Sequence, residues 1–221
     1  MSAQFENQKI PTKQQMKEAL TCRVGNEITE KLNNATVAVM GLGGLGSNIS
    51  IALARAGVGN LILADFDTVD LTNLNRQQYK ASQLGQKKTE ALKENILEIA
   101  PYLKIDTFDI KVNEENISSI CAPASVICEA FDKAENKAML VNYVLENMSD
   151  KYLVAASGLA GFKSLNQIKT RRISQKFFLC GDGTSDVNNG IGLVSARVMG
   201  CAAHQALTVL KILIDDISGD L

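Results

Sequence analysis

Three glycines and one carboxylate carry the first chemical signal in this chain. Gly41, Gly43 and Gly46 follow the short β-branched apolar run 36–40 in G-x-G-x-x-G spacing, and Asp65 stands nineteen residues beyond Gly46, at the end of a second apolar run, 61–64. Between a strand and a helix, the first glycine permits a tight turn and the second lets a phosphate approach the backbone. The third lets the helix pack closely on the strand. Free N–H groups at the helix start then face the anion, and an acid at the end of the next strand accepts hydrogen bonds from ribose hydroxyls. This spacing suits a dinucleotide and ATP equally.

Beyond Asp65, the segment DFDTVDLTNLNRQQYKASQLGQKK places Asn73, Arg76 and Lys88 where the chain leaves the carboxyl edge of the expected sheet, the edge at which open α/β folds bind ligands. Hydride transfer has little use for cations beside a phosphate loop. Attack on a phosphate needs them to neutralise both the phosphates and an incoming anion. The competing reading is that Arg76 and Lys88 are ordinary solvated charges. Asp132 stands where a strand ends and a helix begins. There it can cap the helix, hold Mg²⁺ against phosphate oxygens, or do both.

Those residues need a scaffold, and 221 residues with 46% hydrophobic content can bury one sizeable core. The pattern predicts an N-terminal arm and helix over 1–30 and a single domain over 31–221. Residues 1 to about 15 are polar, and Met16, Leu20, Val24 and Ile28 then recur at near-helical spacing. Helices are predicted over 47–56, ended by Gly57 and Gly59, from Lys87 to Pro101, over 114–120, over 133–148 with Asp132 as cap, and over 194–214. Strands are predicted over 105–112, 125–131, 152–156 and 165–173, with 177–192 a Gly- and Asp-rich connection. Strands alternating with helices imply an α/β, Rossmann-like open twisted sheet, mainly parallel, with helices on both faces.

The formal charge of -1, from 23 basic and 24 acidic residues, provides no global field for nucleic acid or an anionic membrane surface. The N-terminus has no apolar core of a signal peptide, and no apolar stretch approaches the ~18 residues of a membrane helix. Cys22, Cys121, Cys128, Cys180 and Cys201 form no C-x-x-C pair, and their odd number argues against a disulfide framework. A soluble protein of the reducing cytoplasm is expected, with no nucleic-acid partner and no membrane association.

The runs GLGGLGSNISIALARAGVGNLILADFDTVDLTNLNRQ, GQKK and EAFDKAENK resemble the ThiF/MoeB superfamily, adenylyltransferases related to ubiquitin-activating enzymes, from about Arg23 onward. The D-F-D-x-V-x-x-x-N-L-x-R-Q run is far more specific than the glycine loop. The ending GLVSARVMGCAAHQAL, with the short length, looks most like the compact ThiF branch associated with thiamine biosynthesis. The resemblance implies a ThiF/MoeB-type fold that binds ATP and Mg²⁺. It also implies a substrate: a small ubiquitin-fold sulfur carrier protein ending in Gly-Gly, whose C-terminal carboxylate attacks the α-phosphate to give an acyl-adenylate and pyrophosphate. Carried over at matching positions, Gly41, Gly43, Gly44 and Gly46 form the nucleotide loop, Asp65 binds ribose, and Asn73, Arg76 and Lys88 hold phosphates. Asp132 supports Mg²⁺ and the reacting geometry. Arg23 resembles the arginine that reaches into the neighbouring subunit's ATP site, which implies a homodimer.

Many relatives carry two C-x-x-C pairs for structural zinc; this chain has none, so no Cys₄ site is expected. Cys180 in FLCGDGTSD is the cysteine best placed by sequence for access, either as a sulfur-transfer thiol served by a sulfur donor protein or as a plain loop thiol. Cys121, Cys128 and Cys201 lie in apolar contexts that predict core positions. His204, within the last helix, reads as packed structure. The same chemistry on a molybdopterin-synthase carrier or another ubiquitin-like partner remains open. An NAD(P)-dependent oxidoreductase shares the glycine loop and Asp65 but leaves Arg76 and Lys88 unexplained, and a non-catalytic scaffold subunit leaves Arg76 and Asp132 unexplained.

Overall fold

The computed structural model describes residues 10–186 and 190–217. Seven strands form one sheet: Thr36–Met40 (β1), Asn60–Ala64 (β2), Lys104–Phe108 (β3), Val126–Glu129 (β4), Tyr152–Ala156 (β5), Lys169–Arg172 (β6) and Phe177–Gly181 (β7). Their order is β3-β2-β1-β4-β5-β7-β6, with every neighbouring pair parallel except β6 and β7. The helices are Lys13–Val24 (α1), Asn26–Asn34 (α2), Gly44–Ala56 (α3), Lys88–Ile99 (α4), Glu114–Cys121 (α5), Ala134–Asn147 (α6) and Ser195–Leu213 (α7).

Burial on both faces explains why the central strands read as continuous apolar runs instead of alternating ones. One face, with Val37, Val39, Leu61, Leu63 and Val154, packs beneath α3, α4 and α7; the other, with Ala38, Met40, Ile62 and Leu153, packs beneath α5 and α6. The fold is the Rossmann-like, mainly parallel sheet that the sequence predicts. Strand order reverses between β1 and β4, and a crevice opens there at the carboxyl ends.

Strand lengths are set by partners. The strand expected over 105–112 ends at Phe108 because its one neighbour, β2, ends opposite at Ala64. The strand expected over 125–131 stops at Glu129, paired with the last residue of β1. Within the segment expected as a connection over 177–192, Phe177–Gly181 is a strand inserted between β5 and β6. The strand expected over 165–173 shortens to β6 after a 3₁₀ turn at Leu165–Gln167. The amino-terminal helical pattern is divided at Gly25, whose φ of 86° separates α1 from α2. The helix expected from Ser47 begins at Gly44, so the glycine loop is itself the first turn. Residues 1–9 of the expected polar arm lie outside the described residues.

One buried ion pair ties the last helix to the sheet. Arg197 of α7 meets Asp182, just past β7, at 2.5 Å, with side chains 3% and 4% exposed. Arg197 also donates to the carbonyls of Lys163 and Ser164, so three segments converge on it. Burial pushes the Asp182 carboxyl up, but hydrogen bonds from the Ser185 hydroxyl, the Thr184 and Ser185 amides and Arg197 outweigh it and hold it well below the usual carboxylate range. Arg197→Met leaves a buried carboxylate without its cation and should cost about 3–5 kcal/mol in urea unfolding. A depressed carboxyl contributes stability above the ordinary pKa of about 4 and loses it as pH falls through the lower folded-state pKa. Asp182→Asn should therefore flatten the acid limb of the stability curve, and an unchanged limb would show that other carboxyls set it.

Candidate functional site

Asp65, the first residue after β2, is 8% exposed and spends both carboxylate oxygens on backbone amides. Oδ2 accepts from the Leu42 N–H at 2.6 Å and Oδ1 from the Asp67 N–H at 2.8 Å. The glycine loop is thereby fastened to the chain leaving β2. Gly41, with φ 91°, is the turn residue; a Cβ there would meet the Ala130 carbonyl at 2.9 Å. Gly46 sits so close to the loop that a Cβ would come within 1.8 Å of the Gly41 oxygen. Gly43 differs, because its nearest neighbour to a Cβ would be Gln77 at 3.9 Å. The space beside it opens onto a cavity, and the first-turn N–H groups of α3, which lack intrahelical acceptors, begin there.

The long polar loop after β2 is held in one shape by side chains that the sequence reading did not single out. Tyr79 donates to the Leu42 carbonyl at 2.7 Å, Ser47 accepts from the Gln78 amide, and Asn48 donates to the carbonyls of Gly44 and Arg76. Farther out, the buried pair Gln83 and Asn95 exchange two side-chain hydrogen bonds, and Asn95 also reaches the Gln78 carbonyl. These polar residues give no local signal for such a role, since their partners are distant in sequence.

This clamping brings Gly41, Gly43, Gly44, Asp65, Asn73, Arg76, Lys88 and Asp132 around one cavity of about 920 Å³ at the carboxyl edge of the sheet. Lys88 is buried, and its Nζ lies 2.8 Å from Asp67, whose side chain is half exposed. Arg76 lies over Gly44 and anchors Nη1 on Thr72 and Asn75, while its buried Nε has no hydrogen-bond partner among the described residues. Asn73 uses Oδ1 to accept from the Asp70 amide. Gly46 stands behind the loop as its packing contact.

Asp132 requires a correction. The helix begins at Ala134 with Lys133 as N-cap and no side-chain capping bond, so Asp132 does not cap it. The turn after β4 delays the helix by one residue and leaves Asp132 exposed at the cavity. That turn is fixed by Glu129, which is buried, accepts from the Phe131 amide and pairs with Lys137 at 3.0 Å. Lys137 also donates to the Ala156 carbonyl, joining the carboxyl ends of β4 and β5. Burial pushes the Glu129 carboxyl up, against the opposing pull of Lys137. Both residues lie in EAFDKAENK, and a carboxylate followed eight positions later by a lysine offers no helical or strand spacing to reveal the pair.

Cys180 also requires correction. It lies inside β7, fully buried against Thr170 and Thr208, and burial pushes its thiol up. Cys121, Cys128 and Cys201 are buried as expected, and Cys22 is exposed on α1. His204 faces the Thr170 hydroxyl at 3.2 Å, in keeping with a structural role. Arg23 is exposed near the end of α1 and is not among the residues around the cavity. Leu20 of the same helix packs beside Gly57, the far end of α3, about 20 Å of helix away from the glycine loop.

The chain matches the ThiF family over residues 16–220 and belongs to it. It is similar to the molybdopterin-synthase adenylyltransferase of Haemophilus influenzae, 39% identical over 112 residues, covering 50% of this chain and 46% of that protein. It is also similar to the tRNA threonylcarbamoyladenosine dehydratase of the same organism, 32% identical over 147 residues, covering 66% and 56%. The chain thus spans about half the length of the curated relatives it matches. Among solved structures, the E. coli tRNA N6-threonylcarbamoyladenosine dehydratase in complex with ATP superposes with a TM-score of 0.82 at 23% identity, covering 91% of this chain and 95% of that one. At that identity the likeness establishes the fold.

The two glycines should separate experimentally. Gly46→Ala must displace the loop backbone and should cost more than about 3 kcal/mol in thermal or urea unfolding. Gly43→Ala meets open space and should stay within about 0.5 kcal/mol of the parent. Equal destabilisation by both would mean that the cavity side of the loop is packed.

Proposed function

We propose that this member of the ThiF family is an ATP-dependent adenylyltransferase that activates the C-terminal glycine carboxylate of a small ubiquitin-fold sulfur carrier protein. The observation that carries this reading is the gathering, in one cavity, of a helix N-terminus, the fixed cations Arg76 and Lys88, and the Asp132 carboxylate, which forms no ion pair among the described residues. A carboxylate and a triphosphate repel each other, so their encounter depends on positive charge held in place before they meet. The carrier carboxylate oxygen forms a bond to the α-phosphorus, the bond to the bridging oxygen breaks, and pyrophosphate leaves with the electron pair. No proton has to move, and the chain's lone histidine lies elsewhere.

The loop amides beside Gly43 and Gly44 suit phosphate oxygens, and Asp65 suits a ribose hydroxyl through its remaining lone pairs. Arg76, with an unpartnered Nε, and Lys88 suit the charge that develops at the α-phosphate and on the leaving group. Asp132 fits Mg²⁺ as the single protein carboxylate, since this ion is commonly held by one or two carboxylates together with substrate phosphates. Among the described residues no group of three or more His, Cys, Asp or Glu side chains forms a protein-only metal site. When bound, Mg²⁺ neutralises phosphate charge. Arg23, remote from its own cavity, is assigned to the cavity of a second copy in a symmetric homodimer.

Thiamine thiazole synthesis and molybdopterin synthesis both present such a carrier. The relatives named above include a molybdopterin-synthase enzyme and no thiamine-pathway one, so the carrier's pathway is left open. The tRNA-directed relative adds a second substrate class, because threonylcarbamoyladenosine keeps the threonine carboxylate and the same attack on the α-phosphate serves it. Pyrophosphate exchange with carriers ending in Gly-Gly, compared with modified tRNA, separates the two. Tight binding of NAD with no measurable ATP affinity in calorimetry would remove the adenylyltransferase reading.

Arg76→Ala should lower exchange turnover about 100-fold, the effect of losing one donor worth about 3 kcal/mol at the transition state. Asp132→Ala should weaken the dependence on Mg²⁺ while the melting temperature stays put, because no capping bond is lost. A sharp drop in melting temperature with normal turnover per folded molecule would strike Asp132 from the site. Cys180→Ser should retain exchange, since phosphoryl chemistry uses no thiol.

A further inference from the structure

The sheet divides as it approaches the cavity. β4 stays paired with β1 as far as Glu129, opposite Met40, and β5 stays paired with β7 as far as Ala156, opposite Cys180. The pairing of β4 with β5, however, ends at Cys128 and Val154. The two halves of the sheet part there, and the chain leaving each builds a different wall of the cavity: residues 130–133 on one side and 158–160 on the other. Backbone groups released by such a split need other partners.

Two side chains from opposite faces span the gap. Gln205 of α7, fully buried, donates its amide to the carbonyls of Glu129 at 3.1 Å and Val154 at 3.2 Å. Lys137 of α6 donates to both oxygens of the Glu129 carboxylate at 3.0 Å and to the Ala156 carbonyl at 3.2 Å. An ammonium group has three protons, and these acceptors match all three. Lys137 lines the cavity as Arg76 and Lys88 do, but its charge is met by Glu129 and its donors are used. It is therefore no third phosphate cation. The Glu129 carboxylate in turn holds the Phe131 amide, next in the chain to Asp132.

We propose that Glu129 and Lys137 are positioning residues that brace the Asp132 turn across the split, against β5, and so aim the Asp132 carboxylate at Mg²⁺-bound ATP. The proposal rests on the function proposed above and adds two residues that act on the reaction through a third. Asp132 is exposed and forms no ion pair among the described residues, so its place depends on the turn that carries it. Gln205 keeps the spacing of the two strands from the other face, which leaves Lys137 a fixed carbonyl to reach. Misplacing a reacting group by about 1 Å can cost about 100-fold in rate. The competing reading is that the pair only fills space and satisfies charge. The two readings part at one point, because an apolar pair of similar volume often replaces a buried ion pair without loss of stability.

The test is therefore Glu129→Leu/Lys137→Met in the full-length protein, which fills the same space but removes the acceptor of the Phe131 amide and the donor to Ala156. Lys137→Gln is the milder second variant. ATP binding is measured by calorimetry with and without Mg²⁺, and turnover by pyrophosphate exchange with a ubiquitin-fold carrier ending in Gly-Gly. The double variant should melt close to the parent and bind ATP without Mg²⁺ within about twofold of it. It should lose at least fivefold of the gain in ATP affinity that Mg²⁺ gives the parent, and exchange at least tenfold more slowly. Adding Asp132→Ala should lower that gain no further, since both changes act through one carboxylate. Lys137→Gln should show the same two losses at reduced size, and it decides the matter if the double variant does not fold. Parental Mg²⁺ gain and turnover in a folded variant would overturn the proposal and leave the pair a packing device. A parent that binds ATP but exchanges with neither a Gly-Gly carrier nor modified tRNA would remove the adenylyltransferase reading instead, and the calorimetric comparison would then decide the bracing of Asp132 alone.

Discussion

The Asp65 carboxylate is the constraint on which the site depends. A glycine-rich turn is intrinsically loose, because glycine loses more conformational freedom on folding than any other residue. Here one carboxylate holds the amide of Leu42 on one oxygen and that of Asp67 on the other. The first bond fixes the loop that starts α3, and the second fixes the exit from β2 that leads to Arg76 and Lys88. Charge-assisted bonds of this kind are roughly twice as strong as neutral ones, and a nearly buried carboxylate needs them to offset its desolvation. Position and satisfaction of charge are thus met by the same two contacts, and each oxygen still has a lone pair to offer a ligand.

Two further anchors hold segments of the cavity wall through bonds to backbone. Tyr79, Ser47 and Asn48 bind the Arg76 loop to the glycine turn, and the buried Glu129–Lys137 pair binds the Asp132 turn to β5. Lys88 approaches from the first turn of α4 with Asp67 beside it. Fixed charges in a pre-shaped cavity cost no reorganisation when a reaction begins, which is how electrostatic stabilisation becomes effective. Loop length is therefore no sign of looseness here.

Much of this arrangement was legible in the residues. The G-x-G-x-x-G turn, the apolar runs 36–40 and 61–64, and the acid at 65 define a βαβ unit whose ligand edge is fixed by topology, so the gathering of Asn73, Arg76 and Lys88 at one cavity followed from chain order. What escaped was non-local. The sequence FFLC read as the start of a connection because glycines and aspartates follow at once, yet the open edge of β5 recruits it as β7. That one insertion reverses the reading of Cys180 from loop thiol to core residue. Asp132 read as a cap because a carboxylate before a helix commonly is one, yet the turn in which Glu129 accepts from the Phe131 amide runs on to Lys133 before the helix starts. Lys137 reaches the Ala156 carbonyl and Tyr79 the Leu42 carbonyl, and no spacing rule reports such contacts.

The burial of Cys180 bears on how far chemistry at this cavity proceeds. An acyl-adenylate is a mixed anhydride that a thiolate captures readily, so a reachable low-pKa cysteine beside the cavity would turn activation directly into covalent transfer. Four of the five cysteines are buried, with burial pushing their thiols up, and the fifth, Cys22, sits on α1 near the amino-terminal end of the fold. The cavity supplies fixed charge and shape to the proposed reaction, and no thiol of the same chain stands ready to consume its product. Within this chain activation and capture are separated in space, so the nucleophile that resolves the proposed adenylate has to arrive from outside the cavity.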